Sequence, residues 1–418
     1  MADGHRPPTV QGREFFTAIT VADALAGFEP ARRTPIESVA VPDARGRVPA
    51  APVHSPAALP GFARSTVDGY AVCATDTFGA SEGLPGYLEV VGAVRMGAAP
   101  TVAVTTGGAV TMPTGGALPE GADAVMMVEH TQATMPGTIE VTRPVAAGEN
   151  IVRADEDIAV DAVLVPAGRP LRPQDLGVLA AAGVTEVAVH IRPRVAVLST
   201  GDEVVPPSTP HLEPGKVRDA TASALAGLID EAGGDADLRG IVPDDAGALD
   251  AALRSALADA DVVVVSAGSS VGARDETAGV VAGLEPPGIF CHGLAVKPGK
   301  PTLLAECDGV PIIGLPGNPL SALVVFRLVG LPLVRRVGGW TVTPVEPTSS
   351  ATLTRPVASA AGRRDVVQVR LGDDGTADPL TGASALLSLL TQADGYLVVP
   401  EAATGIDAGA TVEVTHYQ

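Results

Sequence analysis

The chain's most specific candidate for chemistry is a pair of lysines in the segment Lys297-Pro-Gly-Lys-Pro301, called the lysine loop below. Two prolines and a glycine stiffen the backbone around the two ammonium groups, and a fixed pair of cations suits a tetrahedral oxyanion. The alternative is that both lysines are ordinary solvated surface residues, which is the more common situation. Surface lysines that serve only solubility do not need a backbone stiffened by proline. We therefore predict an oxyanion site at the lysine loop.

Three polar, glycine-rich loops, each directly after a run of aliphatic residues, form a second group of candidates. They end the segments Arg194–Glu203, Asp261–Asp275 and Val310–Ser321. Near-continuous aliphatic runs are typical of parallel strands that are buried on both faces. The loop after such a strand lies at its carboxyl end, where open α/β sheets bind ligands. Glycine N–H groups approach an anion closely there, and the neighbouring carboxylates suggest a metal.

The three loops differ in the ligand that they suit. Hydroxyls and glycines in Ser266–Asp275 suit a phosphate with Asp275 holding Mg²⁺ against it, and a tight turn in which Asp275 caps the next helix is equally consistent. The segment Gly201-Asp202-Glu203 suits a hard cation but also reads as a solvated turn. Leu315–Pro319 begins a helix, so free amides and Ser321 face an anion, although a plain connection explains this segment nearly as well.

The elements that must position these loops follow from the sequence pattern. From about residue 192 strands alternate with helices, and this βαβ series indicates one doubly wound domain. Short strands between Gly/Pro turns predict a β module at about 65–144 and a compact β domain after Gly338-Gly339. The helices predicted around the proposed sheet are Asp219–Ala232, Asp245–Ala258 and Pro319–Leu333.

Composition limits the classes of partner. The 418 residues predict two to four domains, and the formal charge of −20 with 3% aromatic residues argues against nucleic-acid binding. Cys73, Cys291 and Cys307 form neither a disulfide framework nor a zinc-ligand spacing. No apolar run is long enough to span a bilayer and no signal core begins the chain, so we expect a cytoplasmic protein without a membrane partner.

Four further polar segments read as ordinary turns on their residues alone: Ser65–Val72, Thr114–Val125, Gly362–Asp365 and Thr381–Ser384. Taken together and in order, all of these segments, from about Val21 to the C-terminus, resemble the MoeA family of molybdopterin molybdenumtransferases, which includes the E domains of gephyrin and of plant Cnx proteins. The resemblance implies a multidomain α/β plus β fold. Its parts are a discontinuous elongated domain (15–50 and 148–190), an inserted β domain (51–147), a MogA/MoaB-like α/β domain (191–337) and a C-terminal β-barrel (338–418).

The resemblance also implies a reaction and an assembly. Molybdate is transferred to adenylylated molybdopterin, AMP is released, and Mg²⁺ or a similar cation is the cofactor. The implied homodimer forms its site between the α/β and C-terminal domains of one subunit and the β domain of the other. Docking of the adenylyltransferase or of the acceptor molybdoenzymes is a further interaction that the resemblance suggests.

Roles follow from the resemblance position by position. The implied molybdate-binding residues are Lys297, Lys300, Pro301, Ser321, Arg363 and Ser384. The implied catalytic residues of the cleft are Asp68, Thr114, Asp157, Glu203, Asp244 and Asp275, of which Glu203 and Asp275 hold the metal. The implied substrate-binding residues are Gly268, Ser270, Gly272, Gly317 and Asn318.

Several positions depart from the family pattern, although none removes a charged group with an implied role: Arg64, Val67, Asp155, Thr221 and Ala267. These departures raise two alternatives to the transfer of molybdate to molybdopterin. Molybdopterin adenylylation is disfavoured, because Ser266–Gly272 departs from the adenylyltransferase signature and the extra β domains have no use in that reaction. A non-catalytic scaffold protein of the same fold is also disfavoured, because the chain retains residues with implied catalytic roles: Asp68, Glu203, Asp275 and both lysines.

Overall fold

The computed structural model describes residues 18–266, 271–380, 382–383 and 385–417, with only the backbone of 271–275. The first part of the chain is discontinuous, because its early strands pair with strands that follow the inserted β domain: β1 with β12, β2 with β11 and β3 with β10. The elements before the insertion are α1 (Val21–Gly27), β1 (Ile36–Ala40), β2 (Val53–His54) and β3 (Arg64–Ser65).

The inserted domain is a six-stranded sheet in the order β7-β4-β6-β5-β9-β8. Its strands are β4 (Gly69–Val72), β5 (Gly86–Ala93), β6 (Gly108–Met112), β7 (Ala124–Met127), β8 (Thr131–Met135) and β9 (Thr138–Val141). The chain then returns to the first part through β10 (Ile151–Val152), β11 (Val163–Val165), α2 (Pro173–Ala181) and β12 (Glu186–His190).

The α/β domain contains a six-stranded sheet in the order β16-β13-β17-β21-β20-β18. Its elements are β13 (Arg194–Thr200), β14 (Val204–Val205), β15 (Val217–Arg218), α3 (Thr221–Glu231), β16 (Asp235–Val242), α4 (Ala246–Leu257), β17 (Val262–Ser266), α5 (Val271–Ala282), β18 (Pro287–His292), β19 (Val296–Lys297), β20 (Leu303–Cys307), β21 (Val310–Leu315), α6 (Pro319–Val325) and α7 (Leu331–Val337).

The predicted parallel strands are confirmed in the centre of this sheet, where β16, β13, β17 and β21 run parallel. The edge differs, since β20 and β18 are antiparallel. Asp308 and Gly309 both have positive φ values (48° and 80°) between the paired Cys307 and Val310, which is the two-residue turn that connects antiparallel strands. The sheet is therefore mixed, with its parallel half carrying the predicted loops.

Helices cover both faces of the sheet, which is why every residue of β17 is buried. One apolar cluster includes Leu225 of α3 and Val334 of α7, and the opposite cluster includes Leu253 of α4. Val366 and Tyr396 of the C-terminal domain join the first cluster. The two domains thus share one core, and their relative position is set by apolar packing.

The C-terminal domain is a closed five-stranded barrel, because β24 pairs with both β25 and β26 while β22 links β25 to β28 and β28 pairs with β26. Its elements are β22 (Thr348–Leu353), β23 (Val357–Ala358), β24 (Arg364–Leu371), β25 (Thr376–Pro379), α8 (Ser388–Gln392), β26 (Gly395–Val399), β27 (Gly405–Ile406) and β28 (Thr411–His416). The resemblance to a multidomain protein with a C-terminal barrel is confirmed.

Candidate oxyanion-binding site

The lysine loop is built into the junction between the α/β domain and the barrel. The loop begins at the last residue of β19, and β19 pairs in parallel with β24. Lys297 therefore lies opposite Asp365. On the other side Ala295 donates its N–H to the carbonyl oxygen of Ile19 at 2.7 Å. The loop is therefore fixed from both sides by backbone hydrogen bonds, and its position depends on two other parts of the chain.

Local contacts restrict the loop further. Gly299 has a φ of 124°, a region that side chains rarely adopt. A Cβ at this glycine would lie 2.3 Å from Cγ2 of Val325. The fully buried Thr302 donates its hydroxyl to the Gly299 carbonyl oxygen at 2.7 Å, and Leu294 donates its N–H to the Lys300 carbonyl oxygen at 2.9 Å. These contacts fix the backbone from which the two lysine side chains project.

A cavity of about 1090 Å³ lies beside the lysine loop, between the α/β domain and the barrel, and is called the interdomain cavity below. The sequence-predicted residues that line it are Lys297, Lys300, Pro301, Gly317, Asn318, Ser321 and Arg363. Ser321 is buried in the first turn of α6, and Arg363 comes from the barrel directly before β24. The structure thus brings together residues that are dispersed over two domains.

Asp365 is a residue of this site that sequence reasoning missed. Its side chain is only 5% exposed, and it accepts a hydrogen bond from Nε of Arg363 at 2.8 Å while Nζ of Lys297 lies 3.9 Å away. The two lysines, Arg363 and Asp365 together leave a formal charge of +2 in a chain of net charge −20. The available signal in the sequence was a carboxylate directly before the aliphatic run that begins at Val366, but its partner Lys297 is distant in sequence.

Two of the predicted cleft residues, Glu203 and Asp244, lie elsewhere, at the carboxyl edge of the sheet. Glu203 follows β13 and is half-buried, with its carboxylate over Gly201, where a Cβ would lie 2.5 Å from Oε2. Asp244 follows the adjacent β16 and is exposed. The N–H of Asp202 donates to Asp244 Oδ2 at 3.4 Å, and the N–H of Asp244 donates to Asp202 Oδ1 at 3.2 Å. Carboxylates from two adjacent loops therefore share this edge.

The donor chemistry of this edge fits Mg²⁺, since carboxylate oxygens are the protein ligands that this ion prefers. Among the described residues, no three His, Cys, Asp or Glu side chains are grouped as a complete metal site. Mg²⁺ is usually bound through one or two carboxylates together with substrate phosphates and water. Glu203 and Asp244 supply that number of carboxylates, and the role of Glu203 stays a prediction.

Several predicted residues fall wholly or partly outside the described part of the chain. Gly268, Ser270 and Ser384 lie outside it, as does the side chain of Asp275. The backbone does decide one alternative, because α5 begins at Val271 and Asp275 therefore lies within the helix. The interpretation of Asp275 as the residue that caps this helix from the preceding turn is wrong. Gly272 is the second residue of the same helix.

Asp68 and Thr114 meet in the inserted β domain. Asp68 Oδ1 accepts hydrogen bonds from the Thr114 N–H at 2.7 Å and from its hydroxyl at 2.9 Å, and these two bonds lower the pKa of Asp68. Asp157 is exposed beside Leu59, whose carbonyl oxygen accepts its N–H at 3.1 Å. None of the three lines the interdomain cavity of the same chain.

One departure from the family pattern has a conformational reason. Asp155, which stands for the usual glycine before Glu156-Asp157, has a φ of 64°. Asp enters this left-handed region more readily than most residues, so the backbone conformation typical of glycine is kept. The loop that presents Asp157 therefore does not require the glycine.

Replacing Thr114 with valine is expected to raise the pKa of Asp68 toward its ordinary range. The valine removes the hydroxyl donor and keeps the backbone N–H, so the rise is partial, and Asp68 becomes neutral at a higher pH than in the wild type. Carbon-13 NMR of the carboxyl group measures this titration. Thr101→Val, at an exposed position, is the control, and an unchanged Asp68 titration in Thr114→Val would contradict the geometry.

A doubly wound α/β domain that shares a cationic cavity with a β-barrel defines a multidomain α/β plus β protein with a candidate oxyanion site. Family models match nearly the whole chain: "MoeA N-terminal region (domain I and II)" at 19–183, "Probable molybdopterin binding domain" at 196–336 and "MoeA C-terminal region (domain IV)" at 350–417. The chain belongs to the MoeA family.

Individual relatives are similar to this chain over most of their length. Molybdopterin molybdenumtransferase 2 of Mycobacterium tuberculosis is 33% identical over 384 residues, covering 90% of this chain and 94% of the relative. The molybdopterin molybdenumtransferase of Haemophilus influenzae is 31% identical, covering 91% and 94%. The crystal structure of the molybdopterin biosynthesis MoeA protein of Pyrococcus horikoshii has a TM-score of 0.82 at 30% identity, covering 96% of this chain and 100% of that one.

The last feature of the described helices concerns membranes. Within the described ranges, none combines the length and the apolar character needed to cross a bilayer.

Proposed function

We propose that this chain inserts molybdenum into molybdopterin, transferring molybdate to adenylylated molybdopterin with release of AMP. The observation that carries the proposal is the interdomain cavity, in which two lysines and an arginine face one space in a strongly acidic protein. The relatives named molybdopterin molybdenumtransferase support the same reaction.

The cavity residues have distinct parts in this proposal. Lys297, Lys300 and Arg363 supply the charge that attracts a tetrahedral dianion, and Ser321 supplies a hydroxyl for a directed hydrogen bond. Asp365 orients Arg363 and faces Lys297, so the cations are spaced before the ligand arrives. Fixing the oxyanion in this way lowers the entropic cost of bringing it to the two dithiolene sulfurs of molybdopterin.

The carboxyl edge of the sheet serves the other end of the substrate. Glu203 and Asp244 lie at the carboxyl ends of β13 and β16, the edge of the sheet where open α/β sheets bind ligands. We assign to them the adenylyl phosphate and its Mg²⁺, which supplies positive charge to the phosphate link when bound. The two carboxylates would hold that charge in place. Water attacks one phosphorus of the link between the two phosphates, the P–O bond of the link breaks, and the products are AMP and the phosphate of molybdopterin.

AMP release tests the proposal directly. Purified chain is mixed with adenylylated molybdopterin, molybdate and Mg²⁺, and nucleotides are separated by chromatography. We expect AMP to appear in a molybdate-dependent way and to be absent when EDTA is added before the substrates. If AMP is not formed although molybdate binds, the chain is a binding protein of the same fold.

We infer further that the working unit is a homodimer in which the inserted β domain of one subunit completes the cavity of its partner. The inference is supported by the position of Asp68 and Thr114, which are hydrogen-bonded to each other away from the cavity of their own chain. A second copy is the simplest source of a β domain at each cavity, and isologous dimers are the most common oligomers.

Mixed dimers test the shared site. Neither Asp68→Ala nor the double variant Lys297→Ala/Lys300→Ala is expected to be active alone. Co-expression of the two is expected to restore roughly a quarter of wild-type activity, because half of the dimers are mixed and each mixed dimer has one intact site. Light scattering of each sample reports the oligomeric state, and a mixture no more active than its components would refute the shared site.

A further inference from the structure

The third lysine of the chain, Lys216, lies at the carboxyl edge of the sheet, apart from the lysine loop. Its Nζ donates a hydrogen bond to the carbonyl oxygen of Asp202 at 2.7 Å. Asp202 belongs to the loop after β13 that carries Glu203, and its own N–H lies 3.4 Å from Oδ2 of Asp244 on the neighbouring loop. An ammonium group is thus fixed beside the two loops whose carboxylates are assigned to the adenylyl phosphate and its Mg²⁺.

A short parallel ribbon places Lys216 next to Glu203 in the fold. β14 pairs with β15, and Val217, the first residue of β15, donates its N–H to the Glu203 carbonyl oxygen at 2.8 Å. The N–H of Lys216 itself donates to the carbonyl oxygen of Glu213 at 3.0 Å and closes the turn before β15. The backbone of Lys216 is therefore held by hydrogen bonds on both sides, and the Asp202 carbonyl holds the end of its side chain.

Lys216 keeps its positive charge uncompensated. Among the described residues, the side chain contacts the Asp202 carbonyl oxygen and no carboxylate, although the chain contains 48 Asp and Glu residues. One carbonyl oxygen takes one of the three N–H donors of an ammonium group, so two donors remain. Water is the partner of such donors on an ordinary exposed lysine. A lysine that serves only as a solvated charge does not need a fixed position, so the hydrogen bond to Asp202 favours an anionic ligand.

The neighbouring carboxylates decide which anion fits beside Lys216. Glu203 and Asp244 repel an anion that arrives alone, so an anion binds at this edge together with a divalent cation. Phosphates are commonly bound in this way, with Mg²⁺ held by one or two carboxylates and a lysine in contact with another phosphate oxygen. The lysine loop, where cations outnumber carboxylates, suits a free oxyanion instead.

We propose that Lys216 is a substrate-binding residue that donates a hydrogen bond from Nζ to a phosphate oxygen of the adenylyl group. This inference rests on the proposed function and deepens it, because it names the cation that binds the adenylyl phosphate and distinguishes it from the lysines that bind molybdate. Asp202 is a positioning residue in this site, since its carbonyl oxygen holds the ammonium group in place.

Binding of two ligands that differ only in the phosphate tests the assignment without turnover. The probes are AMP and adenosine, titrated by calorimetry into the full chain in the presence of Mg²⁺, and molybdate is the probe of the lysine loop. Lys216→Met keeps a long unbranched side chain without the charge and is expected to weaken AMP binding by about tenfold. Its affinities for adenosine and molybdate are expected to equal those of the wild type. Arg45→Met, which removes an exposed cation outside the α/β domain, is the matched control.

A second variant separates phosphate binding from a purely structural role of the bond to Asp202. Lys216→Arg keeps the positive charge and is expected to recover most of the AMP affinity. Equal AMP binding by Lys216→Met and the wild type, a loss for adenosine as large as that for AMP, or no AMP binding by the wild type would each overturn the assignment. If AMP binding depends on Lys216 but adenylylated molybdopterin and molybdate yield no AMP, the proposed function fails and the phosphate site stands.

Discussion

A chain in which alanine replaces both Lys297 and Lys300 is expected to need at least about a hundredfold more molybdate for half-saturation than the wild type. These are two of only three lysines in the chain, whose other charges give a net repulsion of anions. In the proposed function each ammonium group donates a charge-assisted hydrogen bond to the dianion, and Arg363, the third cation that lines the cavity, cannot replace both. Calorimetric titration with molybdate and steady-state kinetics of AMP release both measure the loss.

The same variant is expected to fold normally. The Lys297 side chain is 60% exposed, so its removal leaves no large void, and its 3.9 Å contact with Asp365 is weak beside the Arg363–Asp365 pair. Arg370→Ala, which removes an exposed cation from the same barrel, is the matched control. If the double variant and Arg370→Ala bind molybdate equally well, the lysine loop is not the oxyanion site.

Replacing Gly299 with alanine is expected to lower the free energy of unfolding by about 2–4 kcal/mol and to weaken molybdate binding at the same time. The new Cβ requires a backbone conformation with a φ of 124° and meets Val325 at 2.3 Å, within the α6 segment that also carries Ser321. Relief of this clash must move either α6 or the lysine loop. Urea denaturation and calorimetric titration with molybdate measure the two effects.

The control for this prediction is Gly61→Ala. Gly61 is exposed and a Cβ there meets nothing within 4 Å, so its replacement is expected to be neutral. The combination of lost stability and lost affinity in Gly299→Ala separates it from the lysine variant, which is expected to lose affinity alone. A Gly299→Ala protein as stable as the wild type would contradict the close packing of this loop.

Much of the α/β domain could be predicted because its signals are local. The all-aliphatic run at Val262–Ser266 is a central buried strand, and Asp245 caps the helix Ala246–Leu257 by accepting the Ala248 N–H at 2.8 Å. Asp219 likewise accepts the Ala222 N–H at 3.0 Å at the start of the helix Thr221–Glu231. Periodicity and capping require only neighbours in sequence, so these elements appear within a few residues of their predicted bounds.

Other features depended on pairs that are distant in sequence. The strand Thr131–Met135 was not predicted, because its exposed edge position gives it no apolar alternation. The importance of Asp365 follows from its register opposite Lys297, a residue distant in sequence. Its position before an aliphatic run does not by itself distinguish it from other carboxylates at the start of strands.

The sequence by itself determined which chemical groups are available, which segments are strands and helices, and the family to which their order belongs. It also determined that the lysine loop is stiff, because proline and glycine act on the backbone next to them. The tertiary structure decided which groups face one another. It placed Arg363 and Ser321 beside the lysines, set Asp365 between two cations and kept Asp68 and Thr114 apart from them. The reason is that the cavity lies between two domains, and domain packing is a sum of many long-range apolar contacts that no local pattern encodes.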